Sequence, residues 1–169
     1  MLYFFIGIVI VIIIFVLISY NRLVKLKNKV KRASSGIEVY LMQRFDLIPN
    51  LIECVKQYSK YEENLFTSIT EKRSKYYQNK DLKEGEILNK ECNNLILVAE
   101  EYPELKASEQ YLNLQKNLSK IENQLQAARR IYNIEVTNYN DAVSTFPTNF
   151  IANMFKFKEA EFFEADLDK

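Results

Sequence analysis

Hydrophobic and polar positions follow two different patterns along this chain. From Leu2 to Ile18 every position is uncharged and nearly all are apolar (LYFFIGIVIVIIIFVLI), and Ser19 and Tyr20 lead to the first charge at Arg22. Beyond that point apolar residues return at steps of three and four rather than alternating, which predicts helices and no sheet. One stripe continues from the apolar run through Leu23, Leu26, Val30, Ala33, Ile37, Tyr40, Arg44, Leu47, Leu51, Cys54 and Tyr58. A second takes Tyr61, Leu65, Ile69, Lys72 and Tyr76, and a third Leu88, Cys92, Leu95, Ala99 and Tyr102. The longest runs Leu114, Leu118, Ile121, Leu125, Ala128, Tyr132, Tyr139, Ala142 and Phe146 as a heptad-like, coiled-coil seam. Four amphipathic helices suffice to close a bundle. The expected fold is therefore all-α: a transmembrane helix over 1–20, a four-helix bundle over 21–155 and a C-terminal tail over 156–169.

Breaks between the helices are few. The polar run from Gln78 to Glu86, with Asp81 and Gly85, predicts the turn between the second and third helices. Pro103 stops the third, because proline lacks an N–H and pushes its predecessor out of helical angles. Ser108 is the expected N-cap of the fourth. Pro147 ends that helix and opens a short turn carrying Phe150, Ile151 and Met154. Pro49 fits either a kink in the first helix or the start of a new one, with Asp46 as a nearby cap. The tail is aromatic and then acidic (Phe157, Phe162, Phe163, then Glu164, Asp166, Asp168), and its end is expected to fray.

At about 1.5 Å per residue, a helix over the apolar run covers roughly 26 to 30 Å, the thickness of a bilayer's hydrocarbon layer. A cleaved signal peptide would need a basic leader, a shorter apolar core and a small-x-small site, and all three are missing from these residues. Six of the 23 basic residues (Arg22, Lys25, Lys27, Lys29, Lys31 and Arg32) lie in 21–32 with no acidic one, leaving 17 basic against 22 acidic residues elsewhere. Cations beside a span stay on the cytoplasmic side, so the expected arrangement is a single-pass cell-membrane protein with its N-terminus outside and its body in the cytoplasm. The same cluster suits anionic headgroups. Nucleic acid is not an expected partner, since few aromatics surround the cluster and the remainder is acidic.

Composition narrows the chemistry. With no His, neither Ser-His-Asp nor Cys-His catalysis nor a His-containing metal site can be built. Gly7, Gly36 and Gly85 cannot supply a phosphate-binding glycine loop. Cys54 and Cys92 lack CxxC spacing and read as small buried apolar residues. Glu100, Glu101 and Glu104 straddle Pro103 and read as a solvated acidic turn rather than a metal site. No catalytic, cofactor or metal residue is expected, and no enzyme. The eleven tyrosines read as seam residues with hydroxyls at the rim.

The polar positions most in need of explanation lie on the seam. Arg44 falls between Tyr40 and Leu47 on the inner stripe, and a buried arginine needs a partner. Beside the apolar stripe of the last helix runs Glu122, Gln126, Arg129, Asn133, Val136 and Asn140, again at steps of three and four. One reading pairs Arg44 or Arg129 with Glu122, with Asn133 or Asn140 bonded nearby, as a polar layer that specifies helix register. The other leaves Arg44 at the seam's edge, reaching water along its stem. A groove for a polar ligand is a third use of the same asparagines and arginines.

Several segments fall in a distinctive order: Tyr20-Asn21-Arg22-Leu23-Val24, Gln43-Arg44-Phe45-Asp46-Leu47-Ile48-Pro49-Asn50-Leu51 and Tyr102-Pro103-Glu104-Leu105-Lys106-Ala107. Leu112, Leu114, Gln115, Glu122-Asn123, Ala128-Arg129-Arg130, Tyr132-Asn133, Tyr139-Asn140 and Phe146-Pro147 continue the series. Together they resemble the LemA family of membrane-anchored helical proteins. The resemblance implies a short extracytoplasmic N-terminus, one span and a cytoplasmic four-helix bundle, and it implies no reaction. Phe45 and Ser144-Thr145 depart mildly from the more polar or branched residues of many relatives. The expected role is a scaffold or interaction module at the inner membrane surface. An accessory or regulatory subunit of an envelope enzyme, such as a membrane protease, is the alternative. Expected partners are the bilayer and a membrane-associated protein, and self-association into a homo-oligomer is compatible with both.

Overall fold

The computed structural model describes residues 1–57 and 63–163, apart from the side chain of Leu2. Seven helices carry the described residues: α1 (Leu2–Asp46), α2 (Ile48–Lys56), α3 (Glu63–Asn79), α4 (Leu82–Glu100), α5 (Pro103–Lys106), α6 (Glu109–Ser144) and α7 (Thr148–Met154). No strand occurs among them. The first stripe runs along α1 and on into α2, and the other three follow α3, α4 and α6; Tyr58 and Tyr61, assigned to two of those stripes, lie outside the described residues. α1 passes from the apolar run to Asp46 without a break.

Local chemistry accounts for the boundaries. α1 stops at Asp46, and Arg73 Nε donates to the Phe45 carbonyl at 2.9 Å, satisfying one of the acceptors that a helix end leaves open. Pro49 then begins α2 in its first turn, where the missing N–H is harmless. Asp81 caps α4 by accepting from the Lys83 and Glu84 N–H groups at 2.8 and 3.1 Å. With that cap the break between α3 and α4 shrinks to Lys80 and Asp81, narrower than the polar run suggests. Pro103 closes α4 and opens α5, and Ser108 Oγ accepts from the Tyr111 N–H at 3.3 Å at the start of α6.

Two compact units organise the chain, one of residues 1–35 with the chain from 128 onward, the other of residues 36–127. In the second, α4 packs against α2, α3 and α5. Its core includes Ile37, Leu41, Phe45, Leu51, Ile69, Tyr76, Leu88, Leu95, Leu105 and Leu125. The Phe45 and Tyr76 rings meet edge-on with centroids 5.0 Å apart. Gly85 belongs here by necessity, since a Cβ at that position would lie 2.8 Å from the Tyr76 ring and 2.9 Å from Leu41 Cδ1. In the first unit Leu23, Ala142, Ile151 and Ala152 form the buried centre, with Val16, Leu26, Val143 and Phe157 packed on it.

Three positions differ from the sequence reading. Val136, grouped with the polar stripe, is fully buried, while Phe146, grouped with the seam, is exposed, because α6 has already ended at Ser144. Cys92 is buried but Cys54 is only half-buried. The tail forms an ordered run through Phe163; the acidic residues Glu164, Asp166 and Asp168, where fraying is expected, lie outside the described residues.

Candidate functional site

Arg44 sits in the 36–127 unit, 2% exposed, where a charge requires partners. Its Nη1 donates to Asn89 Oδ1 at 2.5 Å and to the Glu122 carboxylate, and its Nη2 donates to Asn93 Oδ1 at 2.5 Å. Asn89 and Asn93 stand one turn apart on α4, so both amides face the same point. Glu122, from α6, is 27% exposed along its side chain and keeps contact with water. The water-reaching version of Arg44 is excluded by its burial. Lys72 and Glu91 form a further ion pair at 2.5 Å in the same unit. Burial pushes the Cys92 thiol up to about 12 against the opposing charge of Arg44, and the Tyr76 phenol likewise up to about 12. Both stay protonated and unreactive at neutral pH.

The sequence reading sets Asn133 or Asn140 beside that ion pair, but in the structure both hold the C-terminal segment. Asn140 Nδ2 donates to the Ala160 carbonyl at 2.9 Å while its Oδ1 accepts from the Ala160 N–H at 2.8 Å. Asn133 does the same with Phe163, at 2.9 and 2.8 Å. The preceding tyrosines join in: Tyr139 OH donates to the Lys158 carbonyl at 2.9 Å and Tyr132 OH to the Glu161 carbonyl at 3.0 Å. Geometry explains the match. Seven residues of helix advance about 10.5 Å, and three residues of extended chain about 10 Å. Two Tyr-Asn pairs at heptad spacing therefore meet an antiparallel segment every third residue.

Each asparagine amide pairs with one residue's N–H and C=O as a neighbouring strand would. The ladder holds backbone and leaves the tail's side chains largely unread, with Phe163 as the exception. Its ring lies against Tyr132, centroids 6.3 Å apart, and under the Arg129 guanidinium at 5.0 Å. Burial raises the Tyr132 and Tyr139 phenols, with Glu161 adding to the effect at Tyr132, so both remain donors. The signal for this arrangement was the repeated Tyr-Asn dipeptide. The partners Asn89 and Asn93 carried a weaker one, two amides at helical spacing flanking the third stripe.

The six cations Arg22, Lys25, Lys27, Lys29, Lys31 and Arg32 are all exposed along α1, directly after the apolar run. Lys29 lies 3.9 Å from Glu135, and Lys27 stands over the Phe157 ring at 5.9 Å. Lys25, Asn28, Lys31, Arg32 and Ser35 border an open, cationic depression. Among the described residues, no group of three or more acidic or thiol side chains is placed to hold a metal ion.

These features define an all-helical protein whose first helix is long and apolar enough to cross a membrane. Residues 33–169 match the LemA family. The chain belongs to that family. It is 29% identical to Protein LemA of Metamycoplasma hominis over 150 residues, 86% of this chain and 68% of the relative. It is also similar to Magnetosome protein MamQ 2 of Paramagnetospirillum magneticum, at 22% identity over 88% of this chain. Magnetosome protein MamQ of Magnetospirillum gryphiswaldense is 20% identical over 87% of it. The chain spans 65% of the length of each of these magnetosome proteins. Neither the family's description nor the relatives' names denote a reaction.

Proposed function

We propose that this chain is a single-pass membrane protein whose helical body serves as a scaffold or interaction module on the cytoplasmic face. The observation that carries the reading is the continuity of α1. Between Tyr3 and Ile18 every apolar side chain except Val16 is exposed to the surroundings, and the same helix continues past six exposed cations into the packed body. Exposed apolar side chains over that length are unsustainable in water and suited to lipid. The cations after the span favour retention of the body in the cytoplasm and contact with anionic headgroups.

A binding role for the body fits its chemistry. Buried polar side chains build the Arg44 layer, which we read as a device for fixing helix register, and part-buried ones build the tail ladder, while the Tyr76 and Tyr111 hydroxyls are buried without a hydrogen bond. None of these offers an activated nucleophile. Ile87 and Leu97 on α4 and Ile131 and Ile134 on α6 are exposed and available to a protein partner.

Crosslinking in intact membranes, followed by identification of the captured proteins, tests the role. A scaffold captures itself or several membrane proteins. One dominant partner whose activity changes when the bundle is deleted would establish the regulatory-subunit reading instead. Loss of phenotype on replacing individual carboxylates, with the fold intact, would contradict both.

A further inference from the structure

We infer that α7 and the turn after it form a second membrane contact, an aromatic tip seated in the interfacial layer of the bilayer beside the end of the span. This inference rests on the membrane-anchor reading of α1. Thr148, Ile151 and Ala152 are buried on one side of α7, whereas Phe146, Phe150, Met154 and Phe155 are 74%, 65%, 59% and 46% exposed. Single exposed apolar residues are ordinary on a protein surface; four within ten residues, with the Phe146 and Phe150 rings paired at 6.0 Å, make a patch.

Its position names the occupant. The buried side of α7 belongs to the cluster that includes Leu23 and takes in Val16, a residue of the apolar run. Phe155 and Phe157 pack on Tyr20, with centroids 4.8 and 5.8 Å apart. Val16, Ser19, Tyr20 and Leu23 lie on one face of α1, and Ser19 between them is buried, while Leu17 and Ile18 remain exposed. Val16 precedes Arg22 by about 9 Å of helix, so the tip lies alongside the last turns of the span, at the level where aromatic rings collect between hydrocarbon and headgroups. The charge pattern agrees. From Ala142 to Phe155 the chain has no charged residue, and the next charges are Lys156 and Lys158, placed to join the cations of α1 at anionic headgroups.

The chain contains no Trp, so single substitutions give unambiguous fluorescent reporters. The full chain, carrying F150W, M154W, I12W or I131W, is reconstituted into vesicles of phosphatidylcholine with a minority of phosphatidylglycerol. In parallel sets the phosphatidylcholine carries bromine on the acyl chains, near the headgroup end in one and toward the chain end in the other. Ile131 is exposed in the same unit, about one turn beyond the Glu135 that meets Lys29 and so further from the span. Shallow bromine is expected to quench F150W and M154W, deep bromine to quench I12W, and neither to dim I131W. If I12W is quenched while F150W and M154W behave like I131W, the tip inference is overturned and the anchor stands. If I12W escapes both bromine positions, the anchor reading fails and the tip inference falls with it. Quenching of all four also overturns the inference, since the contact would then not be particular to α7.

Discussion

Replacing Arg44 with Met tests how much the buried polar layer contributes to the body. Met retains the length and flexibility of the arginine stem and removes the guanidinium. The change strips donors from Asn89, Asn93 and Glu122 at once. Removing one partner of a buried ion pair costs about 3–5 kcal/mol, largely because the other is left unpaired. Glu122 is 27% exposed and recovers solvation, which places the expected cost at the lower end, about 3 kcal/mol. For a chain of this size roughly 2–4 °C of melting temperature corresponds to each kcal/mol, so R44M should melt about 6–12 °C lower.

The assay is a circular-dichroism melt of the full chain in nanodiscs, at one scan rate for every variant. Glu122→Gln keeps an acceptor for Arg44, and its expected cost is smaller, about 1–2 kcal/mol. The double variant R44M/E122Q should be less destabilised than the two single effects added together, because each single change already breaks the same contact. A melting temperature for R44M within about 2 °C of the unaltered chain would refute the claim that the layer bears on stability.

Four further outcomes are expected. Asn140→Ala removes both bonds to Ala160, a loss of about 1–3 kcal/mol confined to the tail, and amide exchange at Ala160 should accelerate by roughly ten- to hundred-fold while the 36–127 unit is unchanged. Gly85→Ala should destabilise by about 1–2 kcal/mol, overpacking against Tyr76 and Leu41 outweighing better helix propensity. Gly36→Ala, with open space at its Cβ, should stabilise by up to about 1 kcal/mol in the same melts. The Cys92 thiol and Tyr76 phenol are both raised to about 12 by burial, so the folded state favours their protonated forms. Their contribution is complete below pH 9.0, the unperturbed thiol value, and is lost as pH climbs toward 12. Denaturation titrations should therefore show stability falling across that window, and Cys92→Ala should make the fall shallower.

The long helices were legible because their causes are local, whereas Thr148–Met154, read as a turn, is the short helix α7. An uninterrupted apolar run and three-four spacing define α1, and Asp81, Pro103 and Ser108 act within a few residues of where they stand. Pro49 stayed ambiguous until the arrest of α1 at Asp46 was visible, since a proline in a first turn and a proline in a kink look alike in sequence. The tail ladder was not legible for a different reason. Asn133 and Asn140 announce a polar stripe at heptad spacing, yet nothing along a helix states whether a stripe faces a charge, water or backbone. Its partner, residues 158–163, has neither helical period nor strand alternation; what matters is a three-residue advance that matches two helical turns. Phe146 and Cys54 were misplaced because periodicity was extended one step past a helix end or assumed to be uniform in depth.

The proposed role requires above all that α1 hold the chain in the bilayer with the body inside the cell. Lys116 is exposed on α6, and a K116C variant in a C54S background offers one accessible thiol, Cys92 being buried. Intact cells are treated with a membrane-impermeant maleimide before or after permeabilisation, and membranes are then washed at alkaline pH. The prediction is a chain that stays in the washed pellet and takes label only after permeabilisation. Label acquired by intact cells, or release of the chain into the wash, would contradict it.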